Sequence, residues 1–400
     1  MPVWCVTPNH RGAVHRFFDT SPFSPSGRYL GLTRLPYEDH SPRPGDRAEI
    51  LLVDLHTGET RVVAETRGWD TQLGAQVQWG ADDASLFFND VDVGTWRPFG
   101  VRLDPATGVP QKLDGTVYML SSDGARAASP DLVRIGVTQP GYGVVVPEER
   151  VPANDGAPAD DGVYVTDTES GRCELLVSLR EIVETAEPHL DPGEYVDGDF
   201  YAFHVKWNPA GDRLQVVLRW LPRAQEARGR MRAQLITMRA DGSELRVAVP
   251  ASLWGRGGHH PNWCPDGEHV LMNLRLDGRT MRFVRVRYDG SGLAPMVDGI
   301  EGSGHPTLHP NGRHVLTDAY LREPAAYGDG TVPIRLIDLD ARAETTLARV
   351  PSTPLVSGPR EALRVDPHPA WDRSFRRIAF NAFLEGSRRV CIADLSGVVS

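Results

Sequence analysis

Four stretches of the chain share one pattern of apolar and polar positions. "HVKWNPAGDRLQVVL" begins at His204, "HPNWCPDGEHVLMNL" at His260, "HPTLHPNGRHVLTDA" at His305 and "HPAWDRSFRRIAFNA" at His368. Each places a large apolar residue three positions after the histidine, then a turn, then a run that alternates like a strand. Three weaker copies precede them. In "TSPFSPSGRYLGL", "QVQWGADDASLFF" and "VYMLSSDGARAA" the place of the histidine is taken by Thr20, Gln76 and Val117. A second pattern, strand, short polar turn, strand, interleaves with the first. It runs from "AEILLVDLHTGETRVVAET" through "AQLITMRADGSELRVAV" to "RRVCIADLSGVVS" and also occurs seven times. Two hairpins per unit give four strands per blade, and the period matches that of propellers.

The pattern therefore predicts an all-β chain, a single seven-bladed β-propeller over residues 1–400. The last unit lacks its outermost strand. The N-terminal "PVWCVT" is expected to supply it, so that the N- and C-terminal strands pair and no long sheet edge stays open. Two segments depart from the repeat. Residues 147–161, "PEERVPANDGAPADD", read as a loop insertion. Residues 178–188 begin with "SLREIVETA" and read as a short helix capped by Ser178 and Glu181. Insertions of this kind often rim the mouth of a site.

Composition narrows the function. The chain is 40% hydrophobic, with 40 Gly and 32 Pro, as an all-β protein rich in turns requires. A formal net charge of −10 argues against a nucleic-acid partner. No secretory leader and no membrane-crossing run is visible, so a cytoplasmic protein is expected. The four cysteines, Cys5, Cys173, Cys264 and Cys391, form no CxxC and are read as scattered reduced thiols.

In a propeller the innermost strand of each blade lines the central channel. His204, His260, His305 and His368 occupy one register position in four consecutive blades, so they should converge on one side of that channel. Convergent imidazoles hold divalent metals or move protons, provided the rings are neutral near pH 7. A single such histidine is more often a hydrogen-bonded structural residue. Four in register favour a site. His259 neighbours His260, and strand alternation would turn it away from the channel. Lys206, one of only two lysines, lies two residues beyond His204. It is a candidate ligand for a substrate carboxylate, with packing at the channel wall as the alternative.

The stretches "HRFFDTSPFSPSGRYL", "HHPNWCPDG", "SGHPTLHPNG" and "DPHPAWDRSFRRIAFNAFLEG" resemble the oligogalacturonate lyase family, cytoplasmic seven-bladed propellers of pectin breakdown. The resemblance implies a manganese site at one end of the channel. It assigns one ligand to His305 and others to a Gln-x-x-His-Pro-His run, which here reads "LRVDPHP". His368 matches the last histidine of that run. Asp366 stands where the first histidine would be, and Leu363 where the glutamine would be. A His305, Asp366 and His368 set suits Mn²⁺ or another divalent cation. The resemblance further makes His260 the base, aided by an arginine of the preceding blade, for which "ARGRMRAQL" offers Arg230 and Arg232, the latter favoured. His204 and His259 remain as substrate-binding candidates.

Metal, base and arginine together suit β-elimination from a short uronate oligosaccharide. The proton alpha to the carboxylate must be removed, and the developing charge needs a cation. A non-catalytic propeller binding a glycan or a protein is the alternative, as is a lyase for a different uronate. No G-x-S-x-G is present to support a hydrolase.

Overall fold

The seven repeats fold as seven four-stranded antiparallel sheets, each strand next to its sequence neighbour, except that the last sheet takes its outer strand from the N-terminus. This computed structural model describes residues 2–224 and 229–399. The blades share one register. The large apolar residue of each repeat pairs with the residue seven positions later: Phe23 with Leu30, Trp79 with Leu86, Leu120 with Ala127, Trp207 with Leu214, Trp263 with Val270, Leu308 with Val315 and Trp371 with Ile378. Positions three residues earlier therefore stand at one level of the channel, as the sequence predicts.

The alternating apolar positions face neighbouring blades. Trp207, Leu214, Val216 and Ile236 of the fourth blade pack with Val163, Val165 and Val177 of the third. The cores lie between the sheets, and the channel is left for polar and aromatic groups.

Ring closure follows the expectation. Val3, Trp4 and Cys5 pair with Ala393, Ile392 and Cys391 on the strand Ser387–Asp394. Val6 N donates to Val390 O at 2.9 Å, and Val390 N donates to Thr7 Oγ1 at 3.0 Å.

The segment 147–161 is irregular apart from a single 3-10 turn at Glu148–Arg150. The predicted helix spans Leu179–Thr185, with Glu181 N donating to Ser178 Oγ at 3.1 Å. It ends before 188 because Pro188 disfavours helical backbone at the residue before it. Its Leu179 and Ile182 fill the core between the third and fourth blades. The insertion that reaches the channel is an earlier one in the third blade, residues 130–146. It contains the one-turn helix Ile135–Thr138 and carries Tyr142.

Deleting residues 1–8 removes the outer strand and its ties to the last blade. We expect the melting temperature to fall by roughly 5 °C or more. An unchanged calorimetric transition would count against this closure.

Candidate metal and proton-transfer site in the channel

The repeated position has unusual backbone. Gln76, His204, His260 and His368 all have positive φ, at 62°, 49°, 56° and 48°. The ladder shifts between Phe203 and Lys206 and between His259 and Asn262, as β-bulges do. Left-handed backbone costs a non-glycine residue free energy, and such strain concentrates at functional sites. In the sixth blade Gly304 takes the positive φ instead, at 60°. A Cβ there would lie 2.1 Å from Asp318 Oδ1, so this close approach requires glycine.

A plug from the first blade fills the middle of the channel. His15, Arg16, Phe17 and Phe18 are all buried. Asp19 Oδ2 pairs with Lys206 Nζ at 2.7 Å and its Oδ1 with Arg16 Nη1 at 2.6 Å, all with side chains at 0–1% exposure. Burial pushes the Asp19 carboxyl upward, but Lys206 and Arg16 hold it well below the usual carboxylate range. Arg16 also donates to Gln76 Oε1 at 2.8 Å and to Thr20. The first and second blades, which lack a histidine, thus use their register position to hold Arg16.

Phe17 and Phe18 form the floor under the histidines. The Phe17 ring stacks on His204 at 5.3 Å and meets His305 and His368 edge-on at 5.5 and 4.7 Å. Phe18 approaches His260 and His305 at 5.7 and 5.2 Å. Above this floor the His260 and His305 rings are 4.0 Å apart, and His305 and His368 4.3 Å.

His305, Asp366 and His368 present one ligand atom each within 4.8 Å of one another, all buried. Asp318 organises them. Its Oδ1 lies 2.8 Å from His305 Nδ1 and accepts from the backbone N of His305 at 2.8 Å, while Oδ2 accepts from the backbone N of His368 at 3.0 Å. The His305 Nδ1–H is thereby committed to a carboxylate, leaving Nε2 as a donor atom for a metal. Neither ring nitrogen of His368 has a hydrogen-bond partner among the described residues, although the side chain is buried. Buried polar atoms rarely stay unpaired, and a cation beside Asp366 and His305 would satisfy the unprotonated one of the two. The residues present therefore fit a divalent ion.

His260 stands next to this set. Its Nδ1 lies 2.8 Å from Gly304 O, an obligate acceptor, which places the proton on Nδ1 and leaves Nε2 unprotonated. The Tyr320 hydroxyl lies 3.2 Å from that Nε2. Burial drives His260 and His368 well below the ordinary imidazole value, and neighbouring His305 adds to the effect on both. Burial does the same to His204, with Lys206 and Arg219 contributing.

The plug separates two mouths. On the histidine side a cavity of about 400 Å³ is bounded by Tyr320, Arg322, Arg360, Arg364 and Asp366. On the other side a funnel of about 550 Å³ is ringed by Trp79, Trp207, Trp263 and Trp371.

No family model and no curated protein matches the chain. Solved structures do. An oligogalacturonate lyase in complex with manganese superposes with a TM-score of 0.65 at 16% identity, over 98% of this chain and 93% of that one. An oligogalacturonate lyase from Vibrio parahaemolyticus gives 0.66 at 14% identity with the same coverage. The chain has the fold of the oligogalacturonate lyases. A puromycin-hydrolyzing peptidase of Mycobacterium tuberculosis also aligns, with a TM-score of 0.57 at 12% identity over 97% of this chain and 54% of the peptidase. Identities of this size establish architecture, and a propeller hosts many activities.

Within this lyase fold, several expectations need correction. Lys206 is no open ligand for a substrate carboxylate. It is fully buried, paired to Asp19 and donating to Pro261 O at 2.8 Å. His259 does not turn away, because the bulge at His260 interrupts strand alternation and brings the two rings to 4.7 Å. His204 is in the cluster, but its Nδ1 is hydrogen-bonded to Tyr118 and its face is covered by Phe17. Arg232 pairs with Glu194 at 2.7 Å at the surface, and Arg230 is exposed beside it. Among the described residues no contact joins either one to the histidines. The arginine that the preceding blade sends inward is Arg219, over the Phe203 ring at 3.5 Å and donating to Thr138 Oγ1 at 3.1 Å. Its signal was a charge inside the apolar run "LQVVLRWLP". Leu363 is buried and apolar, so the set has three protein donors. Arg364 was also missed; it pairs with Asp366 at 2.6 Å and donates to the Tyr142 hydroxyl at 2.9 Å.

Two outcomes follow for stability. Lys206→Met leaves the Asp19 carboxylate without its strongest partner, and breaking such a buried pair should cost about 3–5 kcal/mol in urea unfolding. Burial also lowers His15 to about 4. The unfolded chain binds that proton near pH 6.5 and the folded one does not, so stability falls as pH drops from 6.5 to about 4. The effect is on the order of 3 kcal/mol from His15 alone. Urea titrations of metal-free protein should show this slope, and His15→Asn should make it shallower while the other buried histidines keep part of it.

Proposed function

We propose that the protein is a divalent-metal-dependent lyase that cleaves short uronate-containing oligosaccharides by β-elimination. The observation that carries this reading is the 2.8 Å contact of His260 Nδ1 with Gly304 O, which leaves Nε2 as the basic nitrogen, beside the His305, Asp366 and His368 donor set. The manganese complex of a lyase with the same fold supports it.

His305 Nε2, the Asp366 carboxylate and a ring nitrogen of His368 would hold the ion. Such an ion, when bound, supplies Lewis-acid stabilisation of the charge that develops on a uronate carboxylate. His260 Nε2 takes the proton alpha to that carboxylate. The hydrogen bond from Nδ1 to Gly304 O holds the ring in place and can stabilise the imidazolium that forms. Electrons from the broken C–H bond form the C4–C5 double bond as the glycosidic C4–O bond breaks, and the departing oxygen leaves with the neighbouring sugar and takes a proton from solvent. Arg219 orients the sugar acid from the side of the fourth blade, where its planar fork matches a carboxylate. Phe17 and Phe18 keep water from the floor, which favours proton transfer between neutral imidazole and carbon. Tyr320 stands between His260 and the cavity, so a sugar ring reaches the base only when this side chain moves aside. Along that cavity Arg322 is paired with Glu361 and Arg364 with Asp366, so Arg360 is the candidate ligand there for an acidic sugar.

His368→Ala should lose Mn²⁺ by elemental analysis while keeping the wild-type circular dichroism. Retention of a full equivalent would remove His368 from the ligand set, and a wild-type protein that takes up no ion would favour a non-catalytic binding propeller. Activity is read as ultraviolet absorbance of a conjugated unsaturated uronate with product mass as a check. His260→Ala should lower turnover by about 10²–10⁴-fold with metal content intact. Arg219→Lys should also be impaired, because an ammonium cannot reproduce two parallel hydrogen bonds. A product carrying added water would place the protein among hydrolases.

A further inference from the structure

Cys5 and Cys391 are 386 positions apart in sequence. The closure brings them directly opposite each other, Cys5 on the N-terminal strand and Cys391 on the strand it completes. The neighbouring pair Val6 and Val390 is hydrogen-bonded, with Val6 N donating to Val390 O at 2.9 Å. Hydrogen-bonded and non-hydrogen-bonded pairs alternate along an antiparallel ladder, so Cys5 and Cys391 form a non-hydrogen-bonded pair. Such pairs have Cα atoms about 4.5 Å apart, inside the range of roughly 4.4–6.8 Å that disulfides span. The two side chains stand opposite each other on the ladder, near enough for each thiol to affect the other's ionisation. Cys5 is half-exposed and Cys391 is buried beneath it, so a reagent in solution reaches Cys5 first. The other cysteines, Cys173 and Cys264, lie in different blades.

We propose that Cys5 and Cys391 are an oxidation site at which a cross-strand disulfide covalently closes the propeller ring. The oxidant is a low-molecular-weight disulfide. The Cys5 thiolate attacks one of its sulfurs, breaking that S–S bond and releasing one thiol. Cys391 then gives its proton to solvent and attacks the Cys5 sulfur of the mixed disulfide, releasing the second thiol. The two protein sulfurs lose two electrons and the reagent gains them. The geometry suits this order. Hydrogen bonding to Cys391 lowers the Cys5 thiol to about 6 against the effect of burial, and Thr7 and Arg389 act in the same direction. A low thiol value makes Cys5 the attacking group near neutral pH.

The bond would join the ends of almost the whole chain. Long closed loops lose the most freedom in the unfolded state, so the oxidised ring should resist unfolding. The last blade also supplies Asp366 and His368, so the latch fastens the blade that carries two of the three metal donors.

The test uses the full chain incubated with oxidised glutathione. Free thiols counted after denaturation should fall from four to two, and peptide mapping without reductant should find the Cys5 and Cys391 peptides joined. The melting temperature should rise by several degrees and return when dithiothreitol is added. Cys5→Ser and Cys391→Ser should each show no such rise, which keeps the test valid if one variant folds poorly. Four remaining thiols, glutathione retained on Cys5 as a stable mixed disulfide, or a bridge to Cys173 or Cys264 would each overturn the proposal.

Discussion

A buried carboxylate in the channel, Asp19, holds the site together. It neutralises Lys206 and Arg16 in a place that water does not reach. Lys206 reaches it from the fourth blade and Arg16 continues to Gln76 in the second, so one ion cluster ties together blades on opposite sides of the ring. Charges in so dry a place are tolerated only when paired and hydrogen-bonded. The pairing fixes the backbone on which Phe17 and Phe18 ride. Those two rings close the channel and give the histidines an apolar floor. Without it the four imidazoles would face an open aqueous tube.

The strain at the histidines belongs to the same construction. A regular strand would send His259 and His260 to opposite faces. The bulge with its left-handed residue brings the two rings together, and His260 Nδ1 lies 2.8 Å from Gly304 O. Asp318 performs the parallel task for the candidate metal donors, binding the backbone of both His305 and His368 while orienting the His305 ring. The ligand loop is fastened from outside as well. Gln72 Nε2 donates to Ala362 O at 2.9 Å and Arg388 Nη2 to Leu363 O at 2.8 Å. The candidate metal donors and the proposed base are thus set by side chains outside the donor set itself.

The propeller was legible from the sequence because its information is local and repeated. A turn, an anchor residue and period-2 alternation specify each blade, and seven copies specify the ring. The shared register was legible for the same reason, since the spacing from His204, His260, His305 and His368 to the anchor is constant. With the family resemblance, the sequence also pointed to His305, Asp366 and His368, which the fold brings within reach of one ion. The helix at Leu179–Thr185 followed from its cap.

What the tertiary structure decided are the partners, because a partner is chosen by proximity across blades. Lys206 read as a ligand for a substrate carboxylate or as packing at the channel wall, and only the fold shows Asp19 beside it. Arg232 lay near the expected place in the sequence, yet it sits outward on a third strand while Arg219 on the second points inward. His259 read as facing away, because a bulge leaves no mark in hydrophobic periodicity. Cys5 and Cys391 read as unrelated thiols, and only ring closure makes them neighbours. Repetition along the chain determined the scaffold and the level of the site; long-range pairing inside a closed ring, which no local pattern encodes, decided which charges meet.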